Sequence, residues 1–155
     1  MTTTIDAPAM TGSDADEVRY VPTSSPPPPS RLPLLASAHD VFAALTNLRR
    51  KDQEHLVVFH LNVRHRVLRR RTVHIGTLTG IECHPREVFK DAIRGSAAAI
   101  ILAHNHPSGD ATPSRADLEL TARLREVGEL VGIPVLDHVI VCATGYISLA
   151  ERNWR

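Results

Sequence analysis

A continuous apolar run over residues 97–103, bounded by Ser96 and His104, constrains the fold of this chain more than any other segment. Its length is typical of a β-strand, and because it contains no polar residue, other elements must cover both faces of that strand. It is the longest unbroken apolar run, yet a membrane-spanning helix needs ~20 apolar residues. The run therefore predicts the central strand of a folded domain and argues against a membrane protein.

The segments around this run alternate between helical and extended patterns. Three segments have a helical pattern, namely residues 37–50, 85–94 and 114–131. Four more have an extended pattern, namely residues 56–63, 67–75, 135–142 and 146–149. Ser37 with Asp40 forms a capping box at the first helix, and a polar turn over residues 62–66 makes the first two strands a hairpin. Helices that alternate with strands and hairpins indicate an α/β fold, a mixed sheet flanked by helices.

Prolines divide the chain into two parts. Most of its 11 prolines lie before residue 38, four of them in a row at residues 26–29. Such a polar, Pro-rich segment buries too little apolar surface to offset the entropy lost on ordering. We therefore predict a disordered leader over residues 1–36 and one folded domain over residues 37–155. A dispensable tail is favoured over a docking motif, although a proline run can bind an aromatic groove.

The cysteine content and the net charge indicate the cellular compartment and the class of partner. The chain has two cysteines, Cys83 and Cys142, and no N-terminal secretory signal, which favours reduced thiols in the cytoplasm. Both cysteines are interpreted as packing residues. The net charge of +1 argues against a globally basic nucleic-acid binder. The sequence leaves the oligomeric state open.

Two histidines and an aspartate have the spacing of metal ligands. His104 and His106 lie two residues apart at the end of the predicted central strand, so their side chains point to the same side. Asp117 falls in the first turn of the next helix, and a loop that folds back would bring it to both histidines. Three protein ligands leave a fourth position for water, as a catalytic zinc site requires. The alternative is that Asp117 only caps the helix, because Ser114 and Asp117 also form a capping-box pattern.

The full string resembles a known motif. His104-x-His106, seven residues, Ser114, two residues and Asp117 have the spacing of the JAMM motif of metal-dependent MPN (JAB) domain hydrolases. The resemblance is closest to the bacterial RadC-like branch and includes residues 84–89, 101–109 and 135–141. It implies the MPN/JAB fold, of cytidine-deaminase-like architecture, over residues 37–155. It also implies that His104, His106 and Asp117 hold one Zn²⁺.

The same resemblance implies a reaction, the hydrolysis of peptide or isopeptide bonds in a protein or peptide substrate. It places a general base near the start of the first core strand, where Glu54 stands, with Glu82 as the rival. Zinc lowers the pKa of water toward ~7, and a nearby carboxylate can carry the released proton to the leaving amine. Ser114 is then expected to hydrogen-bond the developing oxyanion or the catalytic water.

A second function is indicated by a basic hairpin over residues 49–71. Only Asp52 and Glu54 oppose its eight basic residues, which are Arg49, Arg50, Lys51, Arg64, Arg66, Arg69, Arg70 and Arg71. These charges could contact phosphates, so a DNA-associated binding or repair accessory module is the alternative to a hydrolase. The other interpretation is a solvated hairpin at a sheet edge. His138 is interpreted either as a support for the metal ligands or as a core histidine.

Overall fold

The computed structural model describes residues 32–76 and 83–154, which form one mixed sheet flanked by helices. The elements in chain order are α1 (Ala38–Ala44), a short 3₁₀ helix (Leu48–Arg50), β1 (His55–Leu61), β2 (Val67–Ile75), α2 (Pro85–Arg94), β3 (Ala99–Asn105), α3 (Arg115–Val131), β4 (Val135–Val141) and β5 (Tyr146–Ser148). The strand order is β2-β1-β3-β4-β5. Only the β3–β4 pair is parallel within these described strands. The predicted α/β fold is confirmed.

Strand β3 is the central strand, as the apolar run predicts. It pairs with β1 on one edge and β4 on the other, and all of its residues are buried. Ile100 and Leu102 pack against α2 and α3, whereas Ile101 and Ala103 pack on the α1 side. The strand begins at Ala99 rather than at residue 97, because the chain turns at Ser96, which has a φ of 50°.

The first helix is shorter than predicted. The capping box of Ser37 and Asp40 is formed, but α1 ends at Ala44, and residues 48–50 form a separate 3₁₀ helix. The Thr46 hydroxyl donates a hydrogen bond to the Ala43 carbonyl at 3.1 Å. Thr46 and the following Asn47 are weak helix formers, and a side chain that bonds to nearby backbone competes with helical hydrogen bonding. The prediction of one helix over residues 37–50 is therefore wrong in its second half.

The packed part of the chain begins before residue 37. Residues 1–31, which make up most of the predicted leader, lie outside the described residues. Leu32 and Leu35 are buried, and Leu35 belongs to the core on the α1 side. Backbone hydrogen bonds join Leu35 to His65 and Pro33 to Val67. The last residues of the predicted leader therefore pack along the β1–β2 hairpin, while the disorder of residues 1–31 stays a prediction.

Two further expectations concern thiols and membranes. Cys83 and Cys142 are both buried and form no disulfide, as packing residues should. Among the described residues, no helix combines the length and the apolar character needed to cross a bilayer.

The backbone that follows α3 passes so close to Gly128 that there is no room for a side chain at this position. An added Cβ would lie 2.7 Å from the Ile133 carbonyl oxygen and 3.4 Å from the Phe89 ring. Alanine gains about 1 kcal/mol over glycine in a helix, but overpacking against fixed backbone costs about 1–3 kcal/mol. We expect Gly128→Ala to lower the free energy of unfolding by about 1 kcal/mol, measured by urea denaturation.

Gly145→Ala is the matched control, because a Cβ there meets no described atom within 4 Å. Equal stability of the Gly128→Ala variant and the original chain would contradict the close approach.

Candidate metal centre

The end of β3 positions both histidines. His104 lies opposite Leu56 of β1 and Ile140 of β4, and its side chain is fully buried. His106 follows the strand, and its backbone N–H donates to the Val141 carbonyl at 2.8 Å. The Nδ1 atom of His106 lies 2.7 Å from the Asp110 carbonyl oxygen. Since that oxygen can only accept, Nδ1 carries a proton and donates it, and Nε2 is left to face His104.

Asp117 reaches the histidines without giving up its place in the helix cap. Its Oδ2 accepts from the Ser114 backbone N–H and from the Ser114 hydroxyl, both at 2.7 Å. Its Oδ1 lies 3.2 Å from His104 Nε2. The two interpretations of Asp117 that the sequence leaves open are therefore compatible, because one carboxylate closes the capping box and faces the histidines.

The three side chains lie close enough together to share one metal ion. The His104 and His106 Nε2 atoms are 2.9 Å apart, and His106 Nε2 lies 3.4 Å from Asp117 Oδ2. Around an ion with bonds of about 2.0–2.1 Å, neighbouring tetrahedral ligand atoms lie about 3.3 Å apart. The ligand atoms of His104, His106 and Asp117 form a group that could hold a metal ion. The donor set of two imidazoles and one carboxylate suits zinc and leaves a fourth position open.

The electrostatics of the site keep its carboxylate ionised. Burial by itself raises the pKa of Asp117, but His104, His106 and the Ser114 hydroxyl together hold it below its ordinary range. The contact with Asp117 raises the pKa of His106, against burial, which lowers it, and the charge of Glu54 adds to the increase. Because a proton and a metal ion compete for His106 Nε2, the raised pKa means that metal binding weakens as the pH falls.

Glu54 lies close enough to His106 to act on its charge, and a residue of β3 holds the backbone on either side of Glu54. It immediately precedes β1 and lies two residues before Leu56, the residue opposite His104. In an extended segment, residues two apart lie on the same face. The buried Asn105 side chain accepts from the His55 backbone N–H at 2.8 Å and donates to the Gln53 carbonyl at 2.9 Å. These two bonds flank Glu54. The rival general base, Glu82, lies outside the described residues.

The Ser114 hydroxyl already forms two hydrogen bonds within the helix cap. Its hydroxyl donates to Asp117 Oδ2 at 2.7 Å and accepts from the Asp117 backbone N–H at 3.1 Å. This arrangement holds the carboxylate in place. A hydrogen bond from Ser114 to an oxyanion requires that its proton leave Asp117.

Comparison with known proteins shows the family of the chain. A family model described as "RadC-like JAB domain" matches residues 35–154, which is most of the chain. The chain belongs to the RadC-like JAB domain family. The matched residues include His104, His106 and Asp117, the group that could hold a metal ion.

Relatives of this RadC-like JAB domain carry names that state no activity. The UPF0758 protein of Geobacillus thermodenitrificans is 49% identical over 110 residues, which are 71% of this chain and 49% of that protein. The UPF0758 protein of Desulforamulus reducens is 53% identical over 109 residues, 70% of this chain and 48% of that protein. The chain thus spans about half the length of the curated relatives it matches.

Sequence reasoning missed two residues that support the site of the RadC-like JAB domain. Asn105 stands between the two histidines, but its side chain points to the other face of β3, where its partners are backbone atoms distant in sequence. Thr121 lies one helical turn after Asp117, and its hydroxyl contacts His138. The sequence signal for each residue is weak: it is a polar side chain at a position where the strand or helix pattern predicts burial.

Metal analysis tests the site directly. We expect the purified chain to hold about one zinc ion per chain and His106→Ala to lose it, because two remaining ligands bind far more weakly than three. The measurement is zinc content by elemental analysis after dialysis. His39→Ala is the matched control, since His39 is exposed and lies on α1. Full zinc content in the His106→Ala variant would remove His106 from the site.

Proposed function

We propose that this chain is a zinc-dependent hydrolase of peptide or isopeptide bonds. The observation that carries the proposal is the convergence of His104, His106 and Asp117 at the end of β3, with Glu54 held beside them. His104 and Asp117 are buried, whereas the His106 side chain retains 11% exposure. A substrate carbonyl can therefore approach the site from the loop that carries His106.

The chemistry divides between the ion and the residues of this chain. A bound Zn²⁺ supplies a Lewis acid and lowers the pKa of water to about 7. The oxygen of the water forms a bond to the substrate carbonyl carbon, and Glu54 accepts a proton from that water at the same time. The bond between that carbon and the leaving nitrogen then breaks, and Glu54 returns the proton to the nitrogen. No covalent bond to the protein forms at any step.

Ser114 has two consecutive tasks in this proposal. It holds Asp117 through the hydroxyl bond to Oδ2. As negative charge develops on the substrate oxygen, the hydroxyl turns to donate to that oxygen. The backbone N–H of Ser114, which also donates to Asp117 Oδ2, keeps the carboxylate in place while the hydroxyl turns.

Substitution of Glu54 separates catalysis from metal binding. We expect Glu54→Gln to lower the rate of bond cleavage by about 10²–10⁴-fold, because the amide cannot accept the proton, and to leave zinc content unchanged. Cleavage is measured by mass spectrometry on a proteome-derived peptide library together with lysine ε-linked isopeptides.

The matched control is Glu126→Gln, an exposed glutamate on α3. A Glu54→Gln variant that cleaves as fast as the original chain would remove Glu54 from the mechanism. Complete inactivity of the zinc-loaded original chain on both substrate sets would contradict a peptide or isopeptide hydrolase.

The basic hairpin supports a second candidate, the DNA-associated module. Arg69 and Arg71 of β2 line a cavity of about 660 Å³, and the rest of its lining comes from Asp91 and Arg94 of α2 and the following Gly95. This cavity lies on the face of the sheet that α2 and α3 cover. Phosphates bind readily to converging guanidinium groups.

Several arginines of the hairpin already have partners within the chain, which is why the hydrolase remains the first candidate. Arg66 donates to the Leu32 carbonyl at 2.7 Å, and Arg70 donates to the Ala44 carbonyl at 3.1 Å. Arg71 forms an ion pair with Asp91 at 3.1 Å. These residues stabilise the hairpin and its neighbours whether or not a nucleic acid binds.

A DNA-binding titration tests this second candidate. If the cavity binds DNA, we expect the double variant Arg69→Gln/Arg94→Gln to bind DNA more weakly. The slope of log affinity against log salt concentration should also become shallower by about one for each phosphate contact that is lost. Fluorescence anisotropy with single-stranded and duplex DNA measures both quantities. Arg152→Gln, an exposed arginine outside the hairpin, is the control. Unchanged affinity and slope in the double variant would contradict DNA binding at this surface.

A further inference from the structure

A buried chain of hydrogen bonds runs from the candidate metal centre into α3. His104 Nδ1 lies 2.8 Å from His138 Nε2. His138 Nδ1 lies 2.6 Å from Thr121 Oγ1, which in turn lies 2.6 Å from the Asp117 carbonyl oxygen. All of these groups are buried. The chain thus links the backbone of one candidate ligand, Asp117, to the ring of another, His104.

The position of each proton in this series of hydrogen bonds follows from its last group, the Asp117 carbonyl oxygen. The Asp117 carbonyl oxygen can only accept, so the single proton of the Thr121 hydroxyl lies between these two oxygens. Thr121 must then accept from His138, which places a proton on His138 Nδ1. His138 is fully buried, and its two ring nitrogens contact the neutral Thr121 hydroxyl and another imidazole rather than a carboxylate. A buried charge without an opposite charge beside it is costly, so the ring is neutral and its Nε2 carries no proton. His138 Nε2 therefore accepts, and His104 Nδ1 carries the proton that it donates.

We propose that His138 and Thr121 are positioning residues that hold His104 in the tautomer whose unprotonated Nε2 faces the metal position. This inference rests on the metal centre of the proposed function. The opposite tautomer would place a proton on Nε2, directed at Asp117 Oδ1 3.2 Å away and into the space of the ion. A metal-binding histidine is commonly fixed in this way by a partner on its other ring nitrogen. Here that partner is a second histidine, whose own tautomer is set by a threonine.

Thr121 is the point at which the chain of hydrogen bonds can be reversed. Replacement by valine keeps the shape of the side chain but removes the acceptor, so His138 Nδ1–H becomes a buried donor without a partner, which is costly. Reversal relieves this cost, because His138 then donates from Nε2 to His104 Nδ1. His104 in turn carries its proton on Nε2, where Asp117 accepts it. Thr121→Ser keeps the hydroxyl and is the matched control.

Two measurements test the proposal, and the first does not need metal. Long-range ¹H–¹⁵N correlation spectra of the metal-free full chain report which ring nitrogen of His104 and of His138 is protonated. The second measurement is Zn²⁺ affinity, by competition with a chromophoric chelator. We expect Nδ1–H tautomers for both histidines in the original chain. We also expect about 10–100-fold weaker Zn²⁺ binding in Thr121→Val, the range found when the outer partners of metal ligands are changed, and near-original binding in Thr121→Ser.

The outcomes distinguish this inference from its alternatives. An Nε2–H tautomer of His104 in the original metal-free chain would overturn it, even if Thr121→Val fails to fold. A folded Thr121→Val variant with the original His104 tautomer and Zn²⁺ affinity would show that Thr121 only fills space, which also overturns it. If the original chain binds no zinc, the metal centre fails, whereas the tautomers of the metal-free protein still report on the hydrogen-bond chain.

Discussion

The pairing of β3 on both of its edges is the constraint on which the rest of the structure depends. Hydrogen bonds to β1 and β4 fix its register, and helices cover both of its faces. A strand held in this way has little freedom to shift, because a slip by one residue would exchange its two faces and separate the buried His104 and Asn105 side chains from their hydrogen-bond partners. The residues at its end, His104 and Asn105, therefore have fixed positions, and each organises one side of the candidate site.

Asp117 connects the stability of α3 to the chemistry of the site. Its Oδ2 accepts the two hydrogen bonds of the cap, while its Oδ1 faces His104. A carboxylate at the start of a helix is also stabilised by the partial positive charge of the helix N-terminus. The geometry that orients the ligand is thus already favoured by helix formation, and the protein needs no separate element to hold Asp117.

The sequence predicted those features that depend on local pattern. The apolar run at residues 97–103 indicated β3, and the spacing of His104, His106 and Asp117 indicated a group that could hold a metal. It did not predict features that depend on contacts between distant segments. The packing of Leu32 and Leu35, for example, requires the hairpin to be in place. The break after α1 is a different case, because there a local hydrogen bond from the Thr46 side chain competes with helical hydrogen bonding. The roles of Asn105 and Thr121 appear only when their distant partners are known.

Asn105 has a further consequence for how freely the neighbouring sequence can vary. Its side chain binds backbone atoms of Gln53 and His55, and its amide nitrogen also lies 3.4 Å from the Lys51 carbonyl oxygen. None of these contacts involves a side chain of the segment before β1. The backbone that carries Glu54 is therefore positioned by β3, together with the Gly76 backbone N–H, which donates to the Glu54 carbonyl at 2.9 Å, rather than by side chains of residues 51–53. Residues 51–53 can diverge among relatives without displacing the glutamate, provided that the length of the segment is kept.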